Sequence, residues 1–284
     1  MVRKVQISAE NFMQEKLRAA LKAIQGVKIP DLPKEIMELD QALGSRFPNN
    51  QHITEIIESN TKLSGEVLRI VNSPAMKAKT PINSIRKAVD TLGSNNLKNL
   101  VLSACLQNLS KTPPVVDIIE HSKDVAYCCA ELSEVVHDVS RDEAYLAGLF
   151  HNGGCLMLAT KDPNNYLKVF SKLNTNAQQG VEREQELYGS NHMFVGILLG
   201  QKWKLPVNLL NIIMKHHSPL SSLQNDKLRS MVAMMTLANF IVNEVAYGAY
   251  ITEQAQNEFN EAQAELMISS AQINLVRNAL LSSG

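Results

Sequence analysis

Gly148-Leu149-Phe150-His151-Asn152-Gly153-Gly154-Cys155 is the stretch on which the reading of the chain turns. An apolar helical run (Ala144, Tyr145, Leu146, Leu149, Phe150) delivers a histidine and an amide into a double glycine, and a second apolar run, Leu156 to Ala159, follows at once. A histidine followed directly by another oxygen or nitrogen donor can supply adjacent ligands to one metal ion. The glycines would then let the backbone come close to a bound group. The flanks read as one helical stretch from Glu143 to Thr160. Taken alone, the octet also fits a helix end whose histidine does no more than cap or hydrogen-bond in a core.

Helical periodicity extends outward from this stretch in both directions, with few alternating β-branched runs and no Asn-Gly hairpin signal, so the fold class is all-α. The spacing predicts helices over 9–25, stopped by Gly26, and from Pro33 to Gly44. Others follow around Ile53 to Ile57, capped by Thr54 or Asn50, and over 67–71, opened by Ser64-Gly65-Glu66. Further ones run over 81–92 and 96–109. Lys111-Thr112-Pro113-Pro114 is the clearest punctuation and divides an N-terminal helical subdomain, to about 112, from a C-terminal one, from about 115. Beyond it, helices are expected over 115–136, 164–173, 181–188, 192–203, 207–217 and 226–247. The tail, 253–281, forms one or two more, with Ser269 or Ser270 capping the last. Trp203 reads as a packing anchor, and Met231, Met234 and Met235 as core.

Composition narrows the function. Lys plus Arg and Asp plus Glu are each 28, so there is no overall basic field for nucleic acid, which is not expected as a partner. No apolar run approaches the roughly 20 residues of a membrane span, and Met1 to Val5 lacks a signal peptide's apolar stretch. Cys105, Cys128, Cys129 and Cys155 form no C-x-x-C pair and read as reduced thiols of a cytoplasmic protein.

Five histidines, His121, His151, His192, His216 and His217, fall at helix ends or beside breaks in the C-terminal half. Neutral imidazole is a common ligand for Zn, Fe and Ni. Their order, with its apolar surroundings, resembles the HD superfamily of metal-dependent phosphohydrolases, in which a first histidine, a His-Asp pair and a later aspartate bind metal on a helical bundle. His121 matches the first histidine and His151 that of the pair. His192, His216 and His217 resemble the extra histidines of the HD-GYP branch, which cleaves cyclic dinucleotides. A narrower resemblance, to the HDOD family of bacterial signalling proteins, covers roughly residues 27–220. It rests on Ile29-Pro30-Asp31-Leu32-Pro33, on Leu63 through Ser73, on Ile82-Asn83-Ser84-Ile85 with Leu92-Gly93, and on the octet itself. Gly189, His192 and Gly196, then Trp203 to Pro206 and His216 to Pro219, complete it. The resemblance implies a multi-helical bundle with an HD-like C-terminal subdomain, an N-terminal helix over 1–26, and helices over 221–284 packed on the bundle.

The departures from the catalytic pattern bear on function. Asn152 stands at the position of the paired aspartate, Asn239 at that of the later one, and Cys155 where catalytic relatives often have a lysine. An amide oxygen is neutral and a poorer metal ligand than a carboxylate. His137-Asp138 lacks the glycine turn and reads as a helix end. The expectation is therefore a signalling or regulatory module that binds a protein partner or a small nucleotide-like ligand without catalysis and without a metal. The alternative is a phosphohydrolase holding Fe, Mn or Zn through the five histidines, with Glu120, Asp124, Glu184 or Glu186 replacing the missing acids. A third reading is a scaffold whose histidines only cap helices. Arg69, Asn72 and Ser73 are a further candidate interface, against ordinary capping and turn chemistry.

Overall fold

The structure, a computed structural model, describes residues 2–109, 112–245, 248 and 251–283 and, from Asn11 onward, the side chains of all of these except 94, 95 and 283. No strand occurs among the described residues. The N-terminal helices are α1 (Val2–Ala23), α2 (Lys34–Leu43), α3 (Asn50–Glu58), α4 (Thr61–Val71), α5 (Ile85–Leu92) and α6 (Ser94–Gln107). Then come α7 (Pro113–Leu132), α8 (Arg141–Phe150), α9 (Gly153–Lys161), α10 (Tyr166–Thr175), α11 (Ala177–Tyr188) and α12 (His192–Lys202). The chain continues with α13 (Val207–Lys215), α14 (Asp226–Val245), α15 (Glu253–Glu265) and α16 (Ser270–Ser283).

Capping chemistry sets most boundaries and corrects several expected ones. Asn49, not Asn50 or Thr54, caps α3 by accepting from the Gln51 and His52 amides, while Thr54 lies inside the helix and donates to the Asn50 carbonyl. Asn60 caps α4, so the helix opens six residues before Val67. Ser84 caps α5 and leaves Pro81 and Ile82 outside it. The stretch from Glu143 to Thr160 is two helices, not one: α8 ends at Phe150, and His151 and Asn152 occupy the break before α9. Helix α7 stops at Leu132, four residues early, and its continuation turns at Asp138, which is in the left-handed region at φ 63°. The tail forms two helices, and Ser269 caps α16 by accepting from the Gln272 amide. The expected end of α14 at Tyr247 and the Lys111 of the proline punctuation lie outside the described residues.

Helix α7 is the axis of the C-terminal half, packed on α8, α9, α14 and α16. Helix α12 packs on α9, α13 and α1, and α6 joins α2, α4 and α5 to α8. One hydrophobic cluster runs from Ala20 to Leu280, so the helices on either side of residues 111–114 share a core. Arg141, paired with Glu131 and Glu134, ties the two sides together by donating to the Ala75 carbonyl, and Lys77 pairs with the same two carboxylates.

The glycines of the octet serve these crossings. A Cβ on Gly148 would lie 2.5 Å from the Ala126 Cα of α7, and one on Gly154 would lie 1.9 Å from the His192 carbonyl oxygen of α12. The expected approach of backbone to a bound group is thus replaced by an approach of helix to helix. Absence of a side chain lets α9 sit directly on the first turn of α12 and brings the break after α8 beside His192. Trp203, fully buried, stacks edge-on against Phe150 and donates its indole N–H to the Pro30 carbonyl at 2.9 Å. No described helix is long and apolar enough to cross a membrane.

Candidate functional site

The five histidines converge, although they come from α7, the α8–α9 break, the start of α12 and the end of α13. His151 stacks edge-on to His216 at 5.3 Å between ring centres, and His192 and His217 each lie about as close to His216 or closer (5.1 and 4.0 Å). His121 approaches His151 from the other side at 6.2 Å and packs edge-on against Phe170. His121, His151, His192 and His216 are buried, and His217 is half-buried.

Backbone and carboxylate partners fix which nitrogen of each ring is bare. His151 Nδ1 lies 2.6 Å from the Gly148 carbonyl and His216 Nδ1 lies 2.9 Å from the Ile213 carbonyl, so both carry their proton there. His192 Nδ1 faces Glu184 Oε2 at 2.7 Å, and the same oxygen accepts the His192 backbone N–H at 2.9 Å. The other Glu184 oxygen accepts from the Tyr166 hydroxyl, inside a completely buried pocket. A carboxylate so placed sets the tautomer of its histidine and strengthens its far nitrogen as a donor.

The consequence is that His192 Nε2 and His216 Nε2, both bare, face each other at 3.1 Å. Two lone pairs at that distance repel unless a proton or a metal ion stands between them. Ligand atoms of His192, His216 and His217 all lie within 4.8 Å of one another. Nitrogen donors about 3 Å apart suit one borderline divalent ion such as Zn or Fe. His151 Nε2 is also buried and meets no hydrogen-bond partner.

Burial governs the protonation of the rings. It lowers His121 to about 4, against the weaker opposing pull of its hydrogen bond to Asn239. Burial, reinforced by His121, lowers His151 to about 3. The same cause, with neighbouring histidines adding to it, takes His216 and His217 well below the ordinary value. These four rings therefore act as neutral donors of lone pairs.

Two amides border the cluster. Asn239 presents its oxygen to His121 Nε2 at 3.1 Å and spends its N–H on the Met235 carbonyl. Asn152 is buried at the break and lines the same cavity as His151. Of the four acids considered as replacements, Glu184 alone hydrogen-bonds a histidine of the cluster. Glu120 and Glu186 pair with Lys123 and Arg183 at the surface. Asp124 sits half-buried on α7, where burial and then Glu120 raise it to about 6. The donor set thus fits one metal ion and lacks the bridging carboxylates of a metal pair.

A cavity of about 780 Å3 opens on His151, His216 and His217 and is walled by α10, α11, α14 and α15. Arg69, Asn72 and Ser73 lie outside it. Asn72 clamps the backbone of Ile82, donating to its carbonyl at 2.7 Å and accepting from its amide at 2.8 Å. Ser73 donates to the Ile70 carbonyl, and Arg69 bonds Glu66 and Gln107. His137 is exposed in the turn after α7 and takes no part in the cluster. Tyr166 and Asn243 are the functional candidates that sequence reading missed. Thr236, Asn239 and Asn243 form a polar stripe at helical spacing in the otherwise apolar α14, and this was the available signal for Asn243.

An all-helical bundle enclosing a histidine cluster, with the amides of Asn152 and Asn239 beside it, is the class that fold and site define. The chain belongs to the HDOD domain family, which it matches over residues 29–219. In fold it is similar to an HDOD domain protein of unknown function from Geobacter sulfurreducens, 19% identical with a TM-score of 0.66, covering 95% of this chain and 99% of that one. It is equally similar to a candidate phosphohydrolase from Shewanella amazonensis SB2B, 22% identical with a TM-score of 0.66, covering 93% of each chain. An uncharacterized protein of Treponema pallidum (strain Nichols) is 23% identical over 77% of this chain and 44% of its own length. The uncharacterized protein YuxH of Bacillus subtilis (strain 168) is 32% identical over 26% of this chain and 18% of its own length. The chain spans less than half the length of these curated relatives.

Proposed function

We propose that the chain is a regulatory module of a signalling system, binding a partner or a small ligand at the cavity above the histidines and turning nothing over. One observation carries this reading: amides stand at both acid positions, and the one carboxylate in the cluster, Glu184, is already committed to His192 and Tyr166. Hydrolysis of a phosphoester by two metals needs negatively charged ligands that hold the ions and bridge them. Neutral Asn152 and Asn239 supply neither. What persists is a rigid, pre-formed pocket on a scaffold of packed helices, which is how a binding site is built.

A second reading, a metal-dependent phosphohydrolase, is favoured by one specific feature. The facing Nε2 atoms of His192 and His216, backed by the Glu184 carboxylate, are arranged as metal ligands with their supporting partner in place. His192, His216 and His217 would hold the ion, which would supply Lewis-acid chemistry when bound, and the protein's own part would be to orient the rings and exclude water.

The two readings separate in one experiment. The full chain, supplied in turn with Mn, Fe and Zn, is assayed against a generic phosphodiester and a cyclic dinucleotide, beside a folded His151→Ala variant. No metal-dependent turnover above that variant is expected. Turnover that vanishes in His151→Ala would overturn the regulatory reading.

A further inference from the structure

The cavity has a chemical polarity opposite to that of a phosphate site. Two residues that line it, His151 and Asn243, each carry a buried acceptor that meets no hydrogen-bond partner, Nε2 and Oδ1. The histidine nitrogen is bare because its ring proton is held by the Gly148 carbonyl. The asparagine oxygen is the free end because its amide nitrogen donates to the Asn174 carbonyl at 2.8 Å. An acceptor buried without a donor is costly, and a ligand that donates to it recovers that cost.

The charges on the wall point the same way. Glu182, Glu258 and Glu261 line the cavity against one cation, Lys215. Glu182 and Glu258 are hydrogen-bonded to the neutral amides of Gln178 and Gln254, so their charge is not cancelled there. A phosphoester would need donors and cations where this wall offers carboxylates and bare acceptors. Phe240 and Met214 supply apolar wall for a methylene chain.

We propose that the cavity recognises a small organic cation with an ammonium or guanidinium head. The head donates to His151 Nε2 and Asn243 Oδ1, and the three glutamates offset its charge. The inference rests on the reading of this cavity as a binding site and adds the class of ligand. Its volume of about 780 Å3 accommodates a molecule the size of agmatine or spermidine.

The test is calorimetric titration of the full, chelator-treated chain with agmatine and spermidine, and separately with AMP and a cyclic dinucleotide. Saturable binding of a cation, weakened by added salt, is expected, with none by the nucleotides. Asn243→Leu should weaken it about tenfold through loss of the buried acceptor. The exposed double change Glu258→Gln with Glu261→Gln should weaken it roughly fivefold and leaves the packed helices untouched, so it stands if the Asn243 variant does not fold. Cation binding that both variants leave unchanged would overturn the proposal. Nucleotide binding lost in His151→Ala would overturn the ligand class and keep the cavity as a binding site. Absence of binding by every probe would overturn the cation proposal, and failure of the phosphodiester assay remains a separate result.

Discussion

The helices before residue 110 and those after it solve the same packing problem differently. In the first group α2 to α5 each bury one stripe, and only the middle of α6 is covered all round: α4 hides Leu63, Val67, Ile70 and Val71 and leaves Gly65 on its open face. In the second, α8 buries Asp142 and every residue from Ala144 to Phe150, and α9 buries all from Gly153 to Ala159. A helix covered on every side must meet several neighbours at close range, and here it does so through Gly148, Gly154 and Gly196. The lesson is that a glycine in an α-helix of this protein has opposite meanings in the two halves. In the first it is a weak point in a solvated helix; in the second it is the contact itself.

The largest effect that would break this comparison is expected at Gly154. An added methyl would run into the His192 carbonyl and the Gly196 amide, both backbone, so Gly154→Ala should cost more than about 3 kcal/mol in urea unfolding or prevent folding. A variant with wild-type stability would refute the glycine-contact account.

Acid should separate the halves next. His121 and His151 are depressed to about 4 and 3 in the folded, metal-free protein, below the ordinary value near 6.5. As pH falls from about 6.5, the unfolded chain takes up these protons first. Stability present above 6.5 is therefore lost progressively toward the folded values, at about 1.4 kcal/mol per pH unit for each ring. Urea midpoints measured from pH 7 to pH 4.5 should show this slope, and His121→Gln with His151→Gln should reduce it, leaving the part that the buried His216 and His217 contribute. Asp124 acts with the opposite sign: raised to about 6, it opposes part of the slope between pH 4 and 6.

Asn72 sharpens the contrast in the N-terminal half. Its two hydrogen bonds to Ile82 hold the loop before α5, so Asn72→Ala should cost about 2 kcal/mol while leaving ligand binding at the cavity unchanged. A binding defect at wild-type stability would instead mark Asn72 as an interface. The smallest effect is expected at Gly65, where a Cβ meets nothing within 4 Å. Gly65→Ala should raise stability by about 0.5–1 kcal/mol, read as a shift in thermal midpoint.

Family and helical class were legible from short blocks, and four of the five histidines were legible because they sit at breaks; His121, expected at a helix end or beside a break, lies inside α7. Glu184 was one of four acids that sequence could not tell apart. Its register with Val181 and Tyr188 places it on the partly buried face of α11, and the left-handed turn at Gly189 returns the chain so that His192 meets it. That is a tertiary fact carried by backbone direction. The break at His151 was hidden because apolar residues continue on both sides of it, so periodicity alone could not separate α8 from α9. The role of the double glycine was misread for a related reason: a missing Cβ is equally suited to a ligand and to a second helix, and only the position of α12 decides.

The segment between α1 and α2 is fastened far from its place in the sequence. Lys202 donates to the Ile29 carbonyl and pairs with Asp31, Trp203 donates to the Pro30 carbonyl, and Lys161 donates to the Gln25 carbonyl. The partners of Ile29 and Pro30 come 173 residues later. During synthesis this segment, with the α1 helix that rests on α12, must wait until residue 203 has left the ribosome before it finds its place. A helix made well before its partner therefore docks only once α12 has been made.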